Sequence, residues 1–252
     1  MNAPQGLGEL DIYLIGEGRH EELWKALGSQ VRRDESGNLL GTNFSVWAPN
    51  ARSVALIGSF NYWDKNTHPM KNLGASGIWQ LFAPGVGPDT PYKYSILGVG
   101  GNWVDHADPM ARATEHPPHT ASVVTESKYV FKDQSWLDKR RHAKPWEEAL
   151  SIYEVHIGSW KLGLSYRDLA TELVSYVKEM GFTHIEFLPL CEHPYGPSWG
   201  YQVTSFFAPT SRFGSPDELR YLIDSLHQSG IGVIMDWGSC TLSKRSMGFG
   251  AF

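Results

Sequence analysis

Residues 182–237 read FTHIEFLPLCEHPYGPSWGYQVTSFFAPTSRFGSPDELRYLIDSLHQSGIGVIMDW and contain the pattern that decides the fold. Two compact apolar runs, HIEFLPL and GVIMDW, are typical of strands buried in a parallel sheet. Between them, Ser215 is a candidate helix N-cap, and Glu218 completes a capping box with it. Pro216 suits the first helical position, and Gly230 suits the end of the helix. The stretch therefore predicts a strand, a helix and a second strand.

The residues before this stretch add another strand and another helix. SIYEVHIG, 151–158, has the pattern of a strand. Ser165 and Asp168 form a second capping box, apolar residues recur after it at helical spacing, and Gly181 is a natural stop. Two successive β-α-β units imply parallel strands joined by right-handed crossovers. Such units open either a doubly wound sheet or a (β/α)8 barrel, and the lack of a glycine-rich phosphate loop after any strand favours the barrel.

The chain before residue 132 has a different pattern, of short β-rich runs separated by Gly, Pro and Asn. The runs GTNFSVWAP, SVALIGSF, GIWQLFAPG, YKYSILGV and TASVVTE predict an antiparallel, immunoglobulin-like β-sandwich. The whole chain is therefore predicted to be multidomain, with a β-sandwich followed by the first part of a (β/α)8 barrel. The expected divisions are an N-terminal segment with a short helix (1–38), the sandwich (39–131), a linker (132–149), three barrel strands (150–237) and a divergent tail (238–252).

Composition argues against several classes of function. The net charge of −5 and a single short basic run, residues 139–142, argue against a nucleic-acid partner. Cys191 and Cys240 are too few for a disulfide framework and too far apart for a metal knuckle. The sequence has no secretory signal pattern and no apolar run long enough to span a bilayer, so we expect a cytoplasmic protein with no membrane partner. The aromatic share of 13% fits either sandwich packing or surfaces that stack on sugar rings.

Three stretches together resemble one protein family. YEVHIGSW (153–160), residues 182–237 and GTNFSVWAPNARSVALIGSFNYWD (41–64) closely resemble bacterial 1,4-α-glucan branching enzymes of the α-amylase superfamily. The resemblance runs from about residue 10 to Trp237. It extends to the N-terminal module, which is similar to starch-binding modules.

One loop makes the resemblance specific. The run EHPYGPSWGYQVTSFFAPTSRFG (192–214) points to branching enzymes. Debranching isoamylases and trehalose-releasing hydrolases have a similar layout, but they usually carry a different residue pair after Trp-Gly-Tyr. Here that pair is Gln202 and Val203, as in branching enzymes.

The resemblance implies a double displacement with retention on α-glucan chains such as glycogen. A carboxylate nucleophile forms a glycosyl-enzyme intermediate, while a second carboxyl group protonates the leaving oxygen. The acceptor is a 6-hydroxyl of a glucan, so an α-1,4 linkage is cut and an α-1,6 branch is made. The resemblance implies no metal and no organic cofactor.

Five residues of the barrel part are candidate substrate-binding residues. Asp236 matches the aspartate of the family's first signature region, which helps to hold the charged network of the site. Tyr201 matches the tyrosine that stacks beneath the transferred sugar. Trp199 and Gln202 flank Tyr201 and are expected to line the cleft. His193 is either a ligand contact or a satisfied, partly buried histidine.

Trp63, in GSFNYWD, is a candidate glucan contact in the β-module. It matches a tryptophan that contacts glucan in some related starch-binding modules. In branching enzymes this module often serves a structural role instead, and the structural interpretation is favoured here.

The end of the sequence departs from the family pattern. Relatives continue from Asp-Trp into a Val-Pro-Ala-His-Phe-Pro-like run, whereas this sequence diverges at Gly238 and has Thr241 where a sugar-binding histidine is expected. The nucleophile and the acid/base belong to later strands of the family's barrel. We therefore expect no catalytic residue here, an inactive product and an exposed third strand. Two alternatives are a non-catalytic glucan-binding module and a part of another α-amylase-superfamily enzyme.

Overall fold

The computed structural model describes residues 6–238 and divides them into two compact units. The first unit contains residues 6–126 and Ser205–Ala208, and the second contains Ser127–Thr204 and 209–238. The predicted divergent tail, with Thr241, lies outside the described residues except for Gly238.

The first unit is a β-sandwich preceded by two short helices. Its elements are α1 (Glu9–Gly16), α2 (Leu23–Ala26), β1 (Gly28–Arg33), β2 (Leu39–Trp47), β3 (Ser53–Gly58), β4 (Lys71–Asn72), β5 (Ile78–Pro84), β6 (Pro91–Leu97), β7 (Trp103–His106) and β8 (Ser122–Val123). One sheet has the order β1-β2-β5-β4, and the other has the order β3-β6-β7 with β8 also paired to β6. All these pairs are antiparallel, so the predicted sandwich is confirmed.

The sandwich core combines side chains from both sheets. Phe44 of β2 and Tyr92 of β6 are fully buried and meet edge to face, with ring centroids 4.8 Å apart. Tyr94 lies two residues further along β6 and therefore on the same face, also fully buried. The hydroxyls of both tyrosines donate to the buried carboxylate of Asp108, at 2.5 and 3.3 Å. The core thus encloses one charged group, hydrogen-bonded by two phenols.

Strand β1 lies inside the region predicted as a separate N-terminal segment, 1–38. It pairs with β2 from Gly28↔Ser45 to Arg33↔Leu39. Its sequence, GSQVRR, has a single strongly apolar residue, so apolar periodicity could not reveal it. Backbone hydrogen bonding to β2 makes it a strand.

The second unit is built on a three-stranded parallel sheet. The elements after residue 126 are α3 (Gln134–His142), β9 (Ile152–Val155), α4 (Ile157–Trp160), α5 (Tyr166–Met180), β10 (His184–Phe187), β11 (Cys191–Glu192), β12 (Ser205–Pro209), α6 (Pro216–Gln228) and β13 (Gly232–Met235). All of them belong to the second unit except β12, which is assigned to the first unit up to Ala208. The sheet order is β13-β10-β9, and both pairs are parallel. This β-α-β-α-β order, in a sheet that stays open within residues 6–238, confirms the expected partial barrel.

The helix boundaries follow the predicted capping residues. Ser165 caps α5, its side chain accepting from the backbone N–H of Asp168, and Gly181 ends the helix with a positive φ of 77°. Ser215 caps α6 in the same way, accepting from Glu218. The apolar faces of both helices join one core with β9, β10 and the start of β13. These predictions are confirmed.

The region predicted as a linker, 132–149, contains helix α3 in the structure. Side chains hold this helix to α6. Asp133 pairs with His227 at 2.7 Å, and the Trp136 ring stacks on His227 with centroids 5.3 Å apart. The helix is polar and lacks apolar spacing, so the sequence pattern gave no sign of it.

Candidate functional site

The candidate site lies at the carboxyl end of the parallel sheet. Val155, Phe187 and Met235, the last residues of β9, β10 and β13, stand side by side in register. The residues that follow the strands therefore meet at one edge, as in the active sites of barrel enzymes. Asp236 is one of them, and its backbone N–H donates to the carbonyl of Phe187 at 3.0 Å.

The structure brings Tyr201 and Asp236, two of the candidate substrate-binding residues, together at this edge. The phenol hydroxyl of Tyr201 donates a hydrogen bond to the Oδ2 atom of Asp236. This hydrogen bond, with some burial and the nearby charges of Glu154 and Glu186, raises the pKa of Tyr201 to about 12. The residue remains 38% exposed. Tyr201 is thus an accessible aromatic ring held at its hydroxyl end.

The chain just before Tyr201 is fixed by a glycine. Gly200 has a φ of 88°, and a Cβ there would lie 2.6 Å from the carbonyl oxygen of Pro189, so only glycine fits. Its N–H donates to the Ser198 hydroxyl at 2.9 Å. Trp199 and Gln202, the predicted flanking contacts, are both exposed, and Trp199 is 66% accessible. The loop therefore displays two accessible aromatic side chains, Trp199 and Tyr201, on either side of Gly200 in the sequence.

His193 is a buried, hydrogen-bonded histidine, only 4% exposed. Its Nδ1 atom lies 3.0 Å from the carbonyl oxygen of Cys191. Burial lowers the pKa of His193, and the hydrogen bond to Cys191 opposes that effect. A position for a Cβ on Gly200 lies 3.5 Å from the His193 Nδ1 atom, so the ring packs beside the Tyr201 loop. Its role as a ligand contact stays a prediction.

An ion pair that the sequence did not single out lies at the base of this loop. Arg212 donates to Glu192 at 2.6 Å, and the two side chains are 13% and 4% exposed. The partners are twenty residues apart, and only the folded loop brings them together. A capping or periodicity signal could not have revealed the pair.

The β-module displays a second aromatic surface around Trp63. Trp63 adopts a positive φ of 61° and is 42% exposed. Trp103, which sequence reasoning did not single out, is 37% exposed. The two indoles line a shallow depression of about 440 Å³ together with Asp64, Lys65 and Ser95, among others. The Lys65 ammonium lies 5.9 Å from the Trp103 ring centroid.

Within residues 6–238, no group of three or more His, Cys, Asp or Glu side chains is arranged to hold a metal ion. In the same range no helix is long and apolar enough to cross a bilayer.

Comparison with protein-family models identifies the class of both units. A family model described as carbohydrate-binding module 48 (isoamylase N-terminal domain) matches residues 26–111. The model of the α-amylase catalytic domain matches residues 168–241. The first unit is thus similar to carbohydrate-binding module 48, and the second is similar to part of the α-amylase catalytic domain. The first match begins before β1, which agrees with the place of that strand in the sandwich.

The sequence is similar over nearly its whole length to 1,4-α-glucan branching enzymes. It is 58% identical over 233 residues to the GlgB enzyme of Nocardia farcinica, covering 92% of this chain and 31% of that protein. Identity is 61% over 233 residues to GlgB of Thermobifida fusca, with the same coverage. It is 54% over 246 residues to GlgB 2 of Streptomyces coelicolor, covering 98% and 33%. The predicted resemblance is confirmed, and the chain spans about a third of the length of these relatives.

A solved structure supports the fold. A candidate alpha amylase from Salmonella typhimurium superimposes with a TM-score of 0.66 at 27% sequence identity. The match covers 84% of this chain and 32% of that chain.

Proposed function

We propose that this protein binds α-glucan chains at the carboxyl end of the β9–β10–β13 sheet, with Tyr201 beneath one glucose ring. The observation that carries the proposal is the hydrogen bond between Tyr201 and Asp236. A ring fixed at its hydroxyl end offers its face to the apolar side of a sugar with little loss of conformational freedom on binding. The names of the similar branching enzymes support an α-glucan as the ligand.

The other predicted residues have supporting roles in this proposal. Trp199 extends the aromatic surface beside Tyr201, and Gln202 offers an amide to sugar hydroxyls. Asp236 anchors Tyr201 and keeps a carboxylate oxygen for the substrate. His193 supplies a hydrogen-bond acceptor from the wall of the loop. The arrangement positions a sugar, and no described residue is assigned as nucleophile or acid/base.

The reaction belongs to the same proposal. In the family the transfer needs a carboxylate nucleophile and a protonated carboxyl group on either side of the glycosidic bond. In this proposal both groups belong to parts of the relatives outside the matched stretch, which is about a third of their length. We therefore propose that the 252-residue polypeptide, tested alone, binds glucan without forming branches. A cytoplasmic location and the lack of a nucleic-acid or membrane partner are part of the same proposal.

Native gel electrophoresis with and without glycogen in the gel tests the binding. The wild-type chain should be retarded by glycogen, and Tyr201→Ala should weaken retention about fivefold, since stacking contributes on the order of 1 kcal/mol. Tyr195→Ala is the matched control, because Tyr195 is an exposed tyrosine of the same loop. Equal retention of wild type and Tyr201→Ala would contradict the proposal. Formation of α-1,6 branches in amylose by the purified chain would contradict its catalytic part.

A second candidate function is glucan binding by the β-module alone. The observation that favours it is the pair of exposed indoles, Trp63 and Trp103, on one depression with Lys65. Two aromatic faces with neighbouring polar groups suit a chain of sugar rings. This function needs nothing from the barrel strands.

Trp63→Ala and Trp63→Phe distinguish the two candidates. If the module binds glycogen, Trp63→Ala abolishes most of the retention, and Trp63→Phe keeps much of it because the stacking face remains. Trp146→Ala is the control for a general loss of an exposed indole, since Trp146 is 79% exposed. Retention that depends on Tyr201 and not on Trp63 would exclude the module as the main binding site.

A further inference from the structure

The base of the Tyr201 loop is organised around one buried carboxylate. Glu192 is 3% exposed and accepts hydrogen bonds at its two carboxylate oxygens. Oε1 accepts from the backbone N–H of His193 at 3.1 Å and from the Thr210 hydroxyl at 3.2 Å. Oε2 accepts from the backbone N–H and the hydroxyl of Ser211, at 2.8 and 2.9 Å. One side chain therefore joins the start of the loop to the segment that follows it.

Arg212 completes this arrangement from the opposite side. Its Nη1 atom donates to Glu192 at 2.6 Å and to the Thr210 hydroxyl at 3.0 Å. Its Nη2 atom donates to the backbone carbonyl of His193 at 2.9 Å. The guanidinium thus binds side chains and a backbone group from two separate nitrogens of one rigid plane, whereas a lysine would have to donate from a single nitrogen.

Glu192 and Arg212 together hold the backbone of His193. Its backbone N–H is held by Glu192 and its carbonyl by Arg212, so the peptide groups on both sides of its Cα are fixed. Because a carbonyl only accepts, the Nδ1 atom of His193 must donate to the Cys191 oxygen. The neutral ring then has its lone pair on Nε2. Within residues 6–238, Nδ1 is the only atom of the His193 ring that forms a hydrogen bond.

We propose that the buried Glu192–Arg212 pair is a positioning device that fixes the His193 ring, so that its Nε2 lone pair accepts a hydrogen bond from a glucan hydroxyl. The glucan part of this inference rests on the proposed function, whereas the positioning part does not. A buried charge pair is a weak source of net stability, because desolvation offsets much of its attraction. What it supplies is a single geometry, since a rotated Glu192 or Arg212 would leave a charge buried without a partner.

The acceptor exists only while the ring is neutral. Burial lowers the pKa of His193, and the hydrogen bond to the backbone carbonyl of Cys191 opposes that effect. The charged groups that influence this pKa are Arg212 and His156, which lower it, and Glu192, which raises it. Glucan binding through Nε2 is therefore retained at neutral pH and lost in acid, when Nε2 gains a proton.

Nuclear magnetic resonance of ¹⁵N-histidine-labelled full chain tests the positioning directly. In the wild type, the His193 signal should show the tautomer protonated at Nδ1. Glu192→Gln and Arg212→Lys, which keep approximate size, should give a mixture of the two tautomers. The same variants should lose glycogen affinity, but by no more than His193→Ala, for which the loss of one hydrogen bond predicts a decrease of about fivefold. Arg220→Lys is the matched control, because Arg220 forms a half-exposed pair with Asp217 on the surface of α6.

The outcomes separate the two parts of the inference. Circular dichroism shows whether Glu192→Gln and Arg212→Lys still fold. If they do not, Thr210→Val is a milder variant, because it removes one hydroxyl and keeps the ion pair. A pure Nδ1-protonated tautomer in all folded variants would overturn the positioning role. Wild-type chain that binds no glycogen would overturn the ligand assignment, while the tautomer measurement still decides the positioning.

Discussion

Asp108 should make the β-sandwich less stable as the pH rises, whereas a carboxylate with a lowered pKa has the opposite effect. Its carboxylate is 1% exposed, and burial raises its pKa from 3.8 to about 6. Hydrogen bonds from Tyr92, from the backbone of Met110 and from Tyr94 oppose this rise without cancelling it. The folded chain therefore binds the Asp108 proton more tightly than the unfolded chain does.

The sign and the size of the effect follow from this difference. The contribution of the protonated Asp108 to stability is complete below pH 3.8 and is lost as the pH rises through about 6. Since one pKa unit corresponds to about 1.4 kcal/mol, a rise from 3.8 to about 6 corresponds to about 3 kcal/mol. Asp108→Asn removes the titration and keeps a side chain that accepts from Tyr92.

The change in the free energy of unfolding is measured by urea titration, with tryptophan fluorescence as the signal. Wild type and Asp108→Asn are compared at pH 3.5 and pH 7. Relative to the variant, the free energy of unfolding of the wild type should fall by about 3 kcal/mol between the two pH values. Asp105→Asn, at an exposed aspartate of β7, should leave the pH dependence of the wild type unchanged. If the difference in the free energy of unfolding between wild type and Asp108→Asn is the same at both pH values, Asp108 does not cause the pH dependence.

Three further predictions concern the barrel part. Gly200→Ala should destabilise the fold by about 1–3 kcal/mol in thermal melts, because Gly200 has a positive φ and the new Cβ would collide with the Pro189 carbonyl. An unchanged melting temperature would contradict this. Leu222→Ala should cost about 3–5 kcal/mol in urea unfolding, because Leu222 is fully buried between α6 and the sheet, and a cost below 1 kcal/mol would be inconsistent with that packing. Among the described strands β13 pairs only with β10, so Ile234→Lys should reduce aggregation seen by light scattering, and faster aggregation would exclude this edge as its cause.

The sequence predicted the elements whose signals are local. Helices α5 and α6 begin at Ser165 and Ser215 because a short hydroxyl side chain there caps the first turn, and this depends on residues three positions apart. The buried strands were recognisable because their apolar runs are compact. Helix α3 escaped prediction because it is polar and is held by His227, which lies far along the chain.

Some residues of the candidate site could be proposed from the sequence, and others could not. Asp236 and Tyr201 could be placed because one follows a strand, the other lies in a loop, and both match a known family. Trp103 and the Glu192–Arg212 pair could not, since strand pairing and loop closure decide which side chains meet. No spacing rule connects residues that only the folded backbone brings together.

We expect an α-glucan to lie against Tyr201 at the carboxyl end of the parallel sheet. Hydroxyl-radical footprinting of the full chain, with and without saturating maltoheptaose, tests this contact, because oxidation reports the exposure of each aromatic ring. The sugar should protect Trp199 and Tyr201 from oxidation. Unchanged oxidation of both, with protection confined to Trp63 and Trp103 or found nowhere, would contradict this expectation.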